Sequence, residues 1–138
     1  MTLVLDASVT LAWWFEDEAH PTAEAALARL KSDPAIVPSI WPAEVANGLL
    51  AGERRSRIGE TDVARAIELL AALPIEVEPV RGLHAARPLL ALARRSGLSA
   101  YDAEYLDLAI RLGCPLATLD GALAGAATQA GVPLISWT

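Results

Sequence analysis

The sequence predicts an α/β domain built on a mainly parallel sheet flanked by helices. Three observations lead there. Short apolar runs at residues 3–5, 35–37 and 114–117 are separated by stretches with helical periodicity, the alternation expected of strand–helix–strand units. Two of these runs stop at an aspartate, Asp6 and Asp120, as when a parallel strand reaches its carboxyl edge. The chain has 138 residues and is 54% hydrophobic, which suits one domain, residues 1–138, whose core is covered on two sides. Neither repeats nor low-complexity linkers interrupt it.

In chain order, Leu3, Val4 and Leu5 read as a strand ending at Asp6, and Ser8 is placed to cap a short buried helix. That helix runs to Phe15 and is closed by Glu16, Asp17 and Glu18. His20 and Pro21 open a second helix, with Ala26, Leu27 and Leu30 at helical spacing before Lys31. A strand from Ala35 to about Val37 follows, with Ser39 as a helix cap and Pro42 tolerated in the first turn. On this third helix Trp41, Val45, Gly48 and Leu49 make the packing stripe, and Ile40, Glu44, Asn47 and Ala51 make the neighbouring line. Glu44 is the sole charge there until Glu53. An ionised carboxylate on such a helix needs a cation or several donors to meet it.

Thr61 to Leu73 is amphipathic through Val63, Ile67 and Leu70 and ends at Pro74. The alternation of Ile75, Val77 and Val80 with Glu76 and Glu78 predicts a half-exposed strand. Leu83 to Arg95 predicts a further helix, mildly interrupted by Pro88 and stopped at Gly97. Ser99 with Asp102 three residues on is a capping-box signature, so a helix begins at about Ser99. At 3.6 residues per turn Asp102, Leu106, Ala109 and Gly113 fall on one line with Tyr105 and Leu112 beside it. Glu104, Asp107 and Arg111 collect opposite, where Asp107 and Arg111 form an i,i+4 pair. Asp102 is therefore the charge on the inward side. The run CPLATLD then supplies a strand delivering Asp120, and the tail reads as a helix, a turn and a last strand, PLISW.

The formal charge is −6, which argues against holding nucleic acid by bulk charge attraction. A single cysteine, Cys114, makes no internal disulfide, and the N-terminus does not resemble a leader, so a cytoplasmic protein is expected. The uncharged tail after Asp120 carries Gly121, Gly125, Gly131 and Pro133 and is not a membrane span. Asp6 and Asp120 come to the carboxyl edge, and Glu44 and Asp102 face inward, so one cluster of four carboxylates is the economical arrangement. Four such groups repel one another and require either raised proton affinity or divalent cations. Carboxylates and water suit magnesium or manganese, whereas zinc's usual histidine and cysteine partners are nearly absent.

The segments VLDASVTLAWWF, PSIWPAEVANGLL, LSAYDAEYLDLAIRLG and LATLD, in this order and at these intervals, resemble the PIN-domain ribonucleases, specifically the VapC toxins of toxin–antitoxin pairs. The resemblance spans essentially the whole chain. It implies a PIN-like fold in which Asp6, Glu44, Asp102 and Asp120 are the catalytic acids holding Mg2+ or Mn2+, with Ser8, Asn47 and Thr118 as supporting candidates around them. It further implies metal-assisted hydrolysis of RNA leaving a 5′-phosphate and a 3′-hydroxyl, a small cognate antitoxin as protein partner, and a homodimer.

Plainer roles exist for each residue. Asp6 or Asp120 alone is ordinarily a turn or cap residue, Glu44 a snorkelling acid, and Asp102 half of a capping box. The Arg54, Arg55 and Arg57 cluster and the Arg94–Arg95 pair are more often solvated helix ends than RNA contacts, with phosphates or an acidic antitoxin segment as the alternative partners. Trp13 and Trp14 are adjacent and cannot both face inward from one helix, so one marks an interface. An aspartyl phosphatase would carry an acid two residues after Asp6, where Ser8 stands, and a phosphate-accepting signalling module wants a lysine near the last strands, whereas Lys31 is the only one. A non-toxin RNA-processing PIN nuclease and an inactive metal-binding interaction module are the remaining alternatives.

Overall fold

The computed structural model describes residues 1–136. Four short strands, β1 (Leu3–Leu5), β2 (Ala35–Val37), β3 (Ile75–Val77) and β4 (Leu116–Ala117), form one sheet in the order β3-β2-β1-β4, with every pairing parallel. Among the described residues seven α-helices connect and cover it: α1 (Ala7–Ala12), α2 (Pro21–Arg29), α3 (Trp41–Arg54), α4 (Glu60–Ala72), α5 (Ala86–Ser96), α6 (Ala100–Leu112) and α7 (Gly121–Gln129). The expected α/β architecture with a parallel sheet is what forms. All of β1 and β4 is buried, which is why these strands are uninterrupted apolar runs and not alternating ones.

The strand order decides where a ligand can bind. From β1 the chain steps outward to β2 and β3, then returns to the other flank of β1 as β4. Between β1 and β4 the connections diverge, leaving the crevice that α/β sheets use for ligands at their carboxyl ends. The register Leu5↔Ala117 and the bond from Asp6 N–H to the Ala117 carbonyl at 3.0 Å align the two strand ends. The residues that follow are Asp6 on one side and Thr118 to Asp120 on the other.

Several helix ends differ from the sequence expectation. Ser8 does not cap: α1 starts at Ala7 with Asp6 in the capping position, because the Ser8 hydroxyl is engaged by Asp6 and by the Leu119 amide. Ser39 does not cap α3 either; Ile40 stands at that end, with Pro42 in the first turn. The helix expected from Leu83 is split into a 3-10 turn, Leu83–Ala85, and α5, so Pro88 falls in a first turn, where its missing amide is harmless. Gly97 and Gly113 close α5 and α6 in the left-handed conformation, at φ 66° and 64°. The last strand is reduced, among the described residues, to a single parallel bridge of Leu134 with Leu116; Trp137 of PLISW lies outside them. Val80 and Leu112 are exposed although the periodicity gave them to strand and core. No helix among the described residues is long and apolar enough to cross a membrane.

Candidate active site

Asp6 is the most enclosed of the four acids, at 5% exposure. Two hydroxyls converge on its Oδ2: Ser8 Oγ and Thr118 Oγ1 each donate at 2.7 Å. Neither hydroxyl competes for Oδ1. The same two side chains tie the strand ends together, Ser8 Oγ accepting from Leu119 N–H at 3.1 Å and Thr118 Oγ1 from Asp120 N–H at 3.0 Å. Asp120 caps α7, its Oδ1 accepting from the Ala122 and Leu123 amides at 2.8 and 3.2 Å, so the helix N-terminus holds the carboxylate in one orientation. Asp102 sits in the first turn of α6, whose capping residue, Ser99, accepts from the Asp102 amide at 3.1 Å. Glu44, in the first turn of α3, accepts a short hydrogen bond from the buried Tyr105 hydroxyl of α6.

The four carboxylates feel one another. Burial raises the proton affinity of Asp6 above the ordinary aspartate range, against the hydroxyls of Ser8 and Thr118 that lower it, and the Asp120 charge adds to the rise. Glu44 is raised by burial first, with Asp6 and Asp102 adding while the Tyr105 hydroxyl opposes. Asp102 is raised by burial, then by Asp120 and Asp6. Burial and the adjoining Glu44 also push the Tyr105 hydroxyl far above the tyrosine range, so it stays a donor to Glu44. The charges acting on Asp6, Glu44 and Asp102 are all carboxylates, with no arginine or lysine among them.

Such a set suits a hard cation. Its donors are all oxygen, it is anionic, and it has no internal counter-charge. Among the described residues no three His, Cys, Asp or Glu side chains are already closed into a metal cage. Magnesium needs no closed cage of this kind, since it takes one or two carboxylates and keeps several waters.

All four acids singled out by sequence are thus electrostatic neighbours, and Ser8 and Thr118 touch one of them. Asn47 is exposed one turn beyond Glu44 and has no hydrogen bond among the described residues. The residue that sequence reasoning left as packing is Tyr105. Its signal was present: it lies three positions after Asp102 on the inward face, and a buried tyrosine hydroxyl needs a partner. Arg57 is committed elsewhere, to Asp17 at 2.6 Å, Glu18 at 2.9 Å and the Phe15 ring at 4.2 Å. Trp13 and Trp14 both pack partly on the core, against expectation, because α1 ends at Ala12 and the pair sits in the turn beyond it. Trp13 donates to the Ala23 carbonyl at 2.8 Å and the buried Trp41 to Thr10 Oγ1 at 3.3 Å.

Comparison with known proteins agrees with this geometry. Residues 3–128 match the model of the PIN domain. The chain is 34% identical over 118 residues to VapC ribonuclease Mb0985 of Mycobacterium bovis, covering 86% of this chain and 85% of that one. It is 31% identical over 124 residues to ribonuclease VapC3 of Pyrobaculum aerophilum, covering 90% and 93%. The crystal structure of PAE2754 from Pyrobaculum aerophilum shares the fold, with a TM-score of 0.67 at 21% identity over 91% of this chain and 87% of that one.

Proposed function

The chain belongs to the PIN domain family, and from that premise we propose that it is a metal-dependent endoribonuclease, the toxin of a toxin–antitoxin pair. The observation that carries the reading is that Asp6, at the end of β1, Glu44 and Asp102 each have their proton affinity raised by neighbouring carboxylates, Asp120 at the end of β4 among them, with no arginine or lysine among the charges acting on them. The two relatives described above are named ribonucleases, which supports RNA as the substrate.

In this reading Asp6, Asp102 and Asp120, with Glu44, hold Mg2+ or Mn2+. Bound there, the cation would supply an activated water and charge stabilisation at the phosphate and leaving oxygen. The protein's own contribution is placement. Ser8 and Thr118 pin Asp6 through Oδ2, the α7 amides pin Asp120, and Tyr105 pins Glu44, so three of the four acids have a fixed orientation before substrate arrives. Asp6 is buried and the other three acids are half-buried, so their charges act on one another more strongly than in open solvent. A phosphodiester could not approach these acids unaided, so RNA binding and the cation are coupled. No side-chain nucleophile is required. One catalytic domain spanning residues 1–138, a cytoplasmic location in keeping with the single reduced Cys114, a small antitoxin partner and a homodimer complete the proposal.

The test is cleavage of a labelled total-RNA pool by purified protein in magnesium, in manganese and in chelator, beside Asp102→Asn. Defined fragments that require metal and vanish in the variant are expected. Identical products from wild type and variant, or no cleavage in either metal by protein free of antitoxin, would overturn the reading.

A further inference from the structure

The carboxyl edge of the sheet, where Asp6 and Asp120 leave β1 and β4, also carries a cavity of about 370 Å³ past the ends of β2 and β3. Ser39, Arg81, Leu83, Leu89 and Glu104 are among the residues that line it. Ser39 lies past β2 in the turn leading to α3 and Glu44, and Glu104 is in the first half of α6, on the face turned away from Asp102 toward Arg81. Resting on the ribonuclease reading, we propose that this cavity holds a guanine base of the RNA flanking the cleaved bond, with Glu104 reading the base edge.

Glu104 has acceptor capacity to spare. Arg81 gives its hydrogen bond to Asp107 at 3.1 Å and reaches Glu104 only at 3.7 Å, so Glu104 has no hydrogen bond among the described residues although it lines the cavity. The ion-pair network here joins Glu78, Glu104 and Asp107 to Arg81 and Arg111, three acids to two arginines, which leaves one negative charge over. That surplus disfavours a phosphate and favours a neutral group rich in donors. Guanine is the base that fits, because only its Watson–Crick edge sets two donors, N1–H and N2–H, side by side for one carboxylate. Adenine and cytosine place an amino group next to a lone-pair nitrogen, and uracil has one N–H between two carbonyls. The cavity also has apolar walls for the faces of a splayed base: Leu89 packs on the core, while Leu83 stands 90% exposed at the lip, in the 3-10 turn after β3.

Two measurements test this. Sequencing the ends of fragments cut from a randomised oligoribonucleotide pool should show guanosine enriched at one position flanking the cut, and Glu104→Gln should lose that enrichment. Binding of guanosine 5′-monophosphate and inosine 5′-monophosphate in magnesium isolates the cavity from cleavage, since neither can be cut and inosine lacks the N2 amine. The wild type should prefer the guanosine nucleotide by about tenfold, the scale of one bidentate base contact. Glu104→Gln should bind the two alike, and Leu83→Asp, at an exposed site, should weaken both. Equal affinity in the wild type, no binding of either nucleotide, or a preference that survives Glu104→Gln overturns the proposal. A preserved preference in a protein that cleaves no RNA counts against the nuclease reading and leaves the cavity assignment standing.

Discussion

At the residue scale the acids divide by what holds them. Asp6 is gripped by two hydroxyls, Asp120 by two amides and Glu44 by one phenol, whereas Asp102 has its own helix turn and its like-charged neighbours. Asp6→Asn and Asp102→Asn keep side-chain size while removing an anionic oxygen. Each should fold normally by circular dichroism and lose RNA cleavage by about a hundredfold or more, the scale of one lost transition-state stabiliser. Wild-type rates in either would exclude that acid from the site. Tyr105→Phe makes a finer cut: the ring still packs, but Glu44 loses its donor and its proton affinity rises further. Cleavage should drop by about tenfold, as for other groups that orient a metal ligand, and its pH profile should shift toward alkali. An unchanged profile would show that Tyr105 only packs. The four acids were legible in the sequence because charge on an inward helical face or at a strand end breaks an apolar pattern. Tyr105's inward position was legible but its role was not, because a tyrosine in a core violates no pattern; only its partner, 61 positions away, gives its hydroxyl a role.

At the element scale the strands and helix types follow from periodicity, and the errors concentrate at helix starts. Ser8 and Ser39 satisfy the capping preference locally, yet α1 and α3 begin without them; for Ser8 the reasons are an acceptor two residues back, Asp6, and a donor, the Leu119 amide, brought in from beyond β4. Local sequence cannot report such a tertiary partner. Glycine spacing on α3 has a similar tertiary meaning. Gly48 and Gly52 lie one turn apart, and a β-carbon at Gly52 would come within 2.5 Å of the Phe15 ring, while one at Gly48 would meet the Leu11 side chain at 2.4 Å. These two glycines let α1 and its following turn close onto α3, and so bring Asp6 toward Glu44. The nearest atoms differ in freedom: Phe15 is buried with Arg57 stacked on its ring, whereas Leu11 is only partly buried. Alanine gains about 1 kcal/mol of helix propensity at either site, against an overpacking cost of about 1–3 kcal/mol where the neighbour cannot yield. Gly52→Ala should therefore destabilise by up to about 2 kcal/mol in urea unfolding, and Gly48→Ala should be close to neutral. The reverse order would mean that Phe15, not Leu11, is the side chain that yields.

At the scale of the whole molecule, a net charge of −6 and a sheet whose switch point gathers four acids describe one electrostatic problem. The strand order that creates the crevice was not legible in the sequence, since apolar runs of two or three residues carry no pairing information; only the parallel class was. The consequence is measurable without RNA. Asp6, Glu44 and Asp102 all have proton affinities raised above their ordinary values of 3.8, 4.5 and 3.8. A carboxyl of this kind binds its proton more tightly folded than unfolded, so its stabilising contribution is complete below the ordinary value and is lost as pH rises through the raised one. Asp33, lowered by its bond to the N-terminal ammonium, works the other way and withdraws stability only as pH falls through its depressed value. Metal-free protein should thus have its highest Tm in mild acid and lose stability toward neutrality. A cation that binds the ionised cluster in the folded state alone should reverse that loss, by about 2.7 kcal/mol at a hundredfold excess over its Kd, or roughly 5–10 °C in Tm for a chain of this size. The shift should fade toward pH 4, where the acids take up protons, and shrink in Asp102→Asn, which should itself be more stable than wild type in chelator at neutral pH. Thermal melts across pH 4–8, with and without magnesium, read all of these together. A magnesium-independent Tm at neutral pH would mean that the cluster holds no ion.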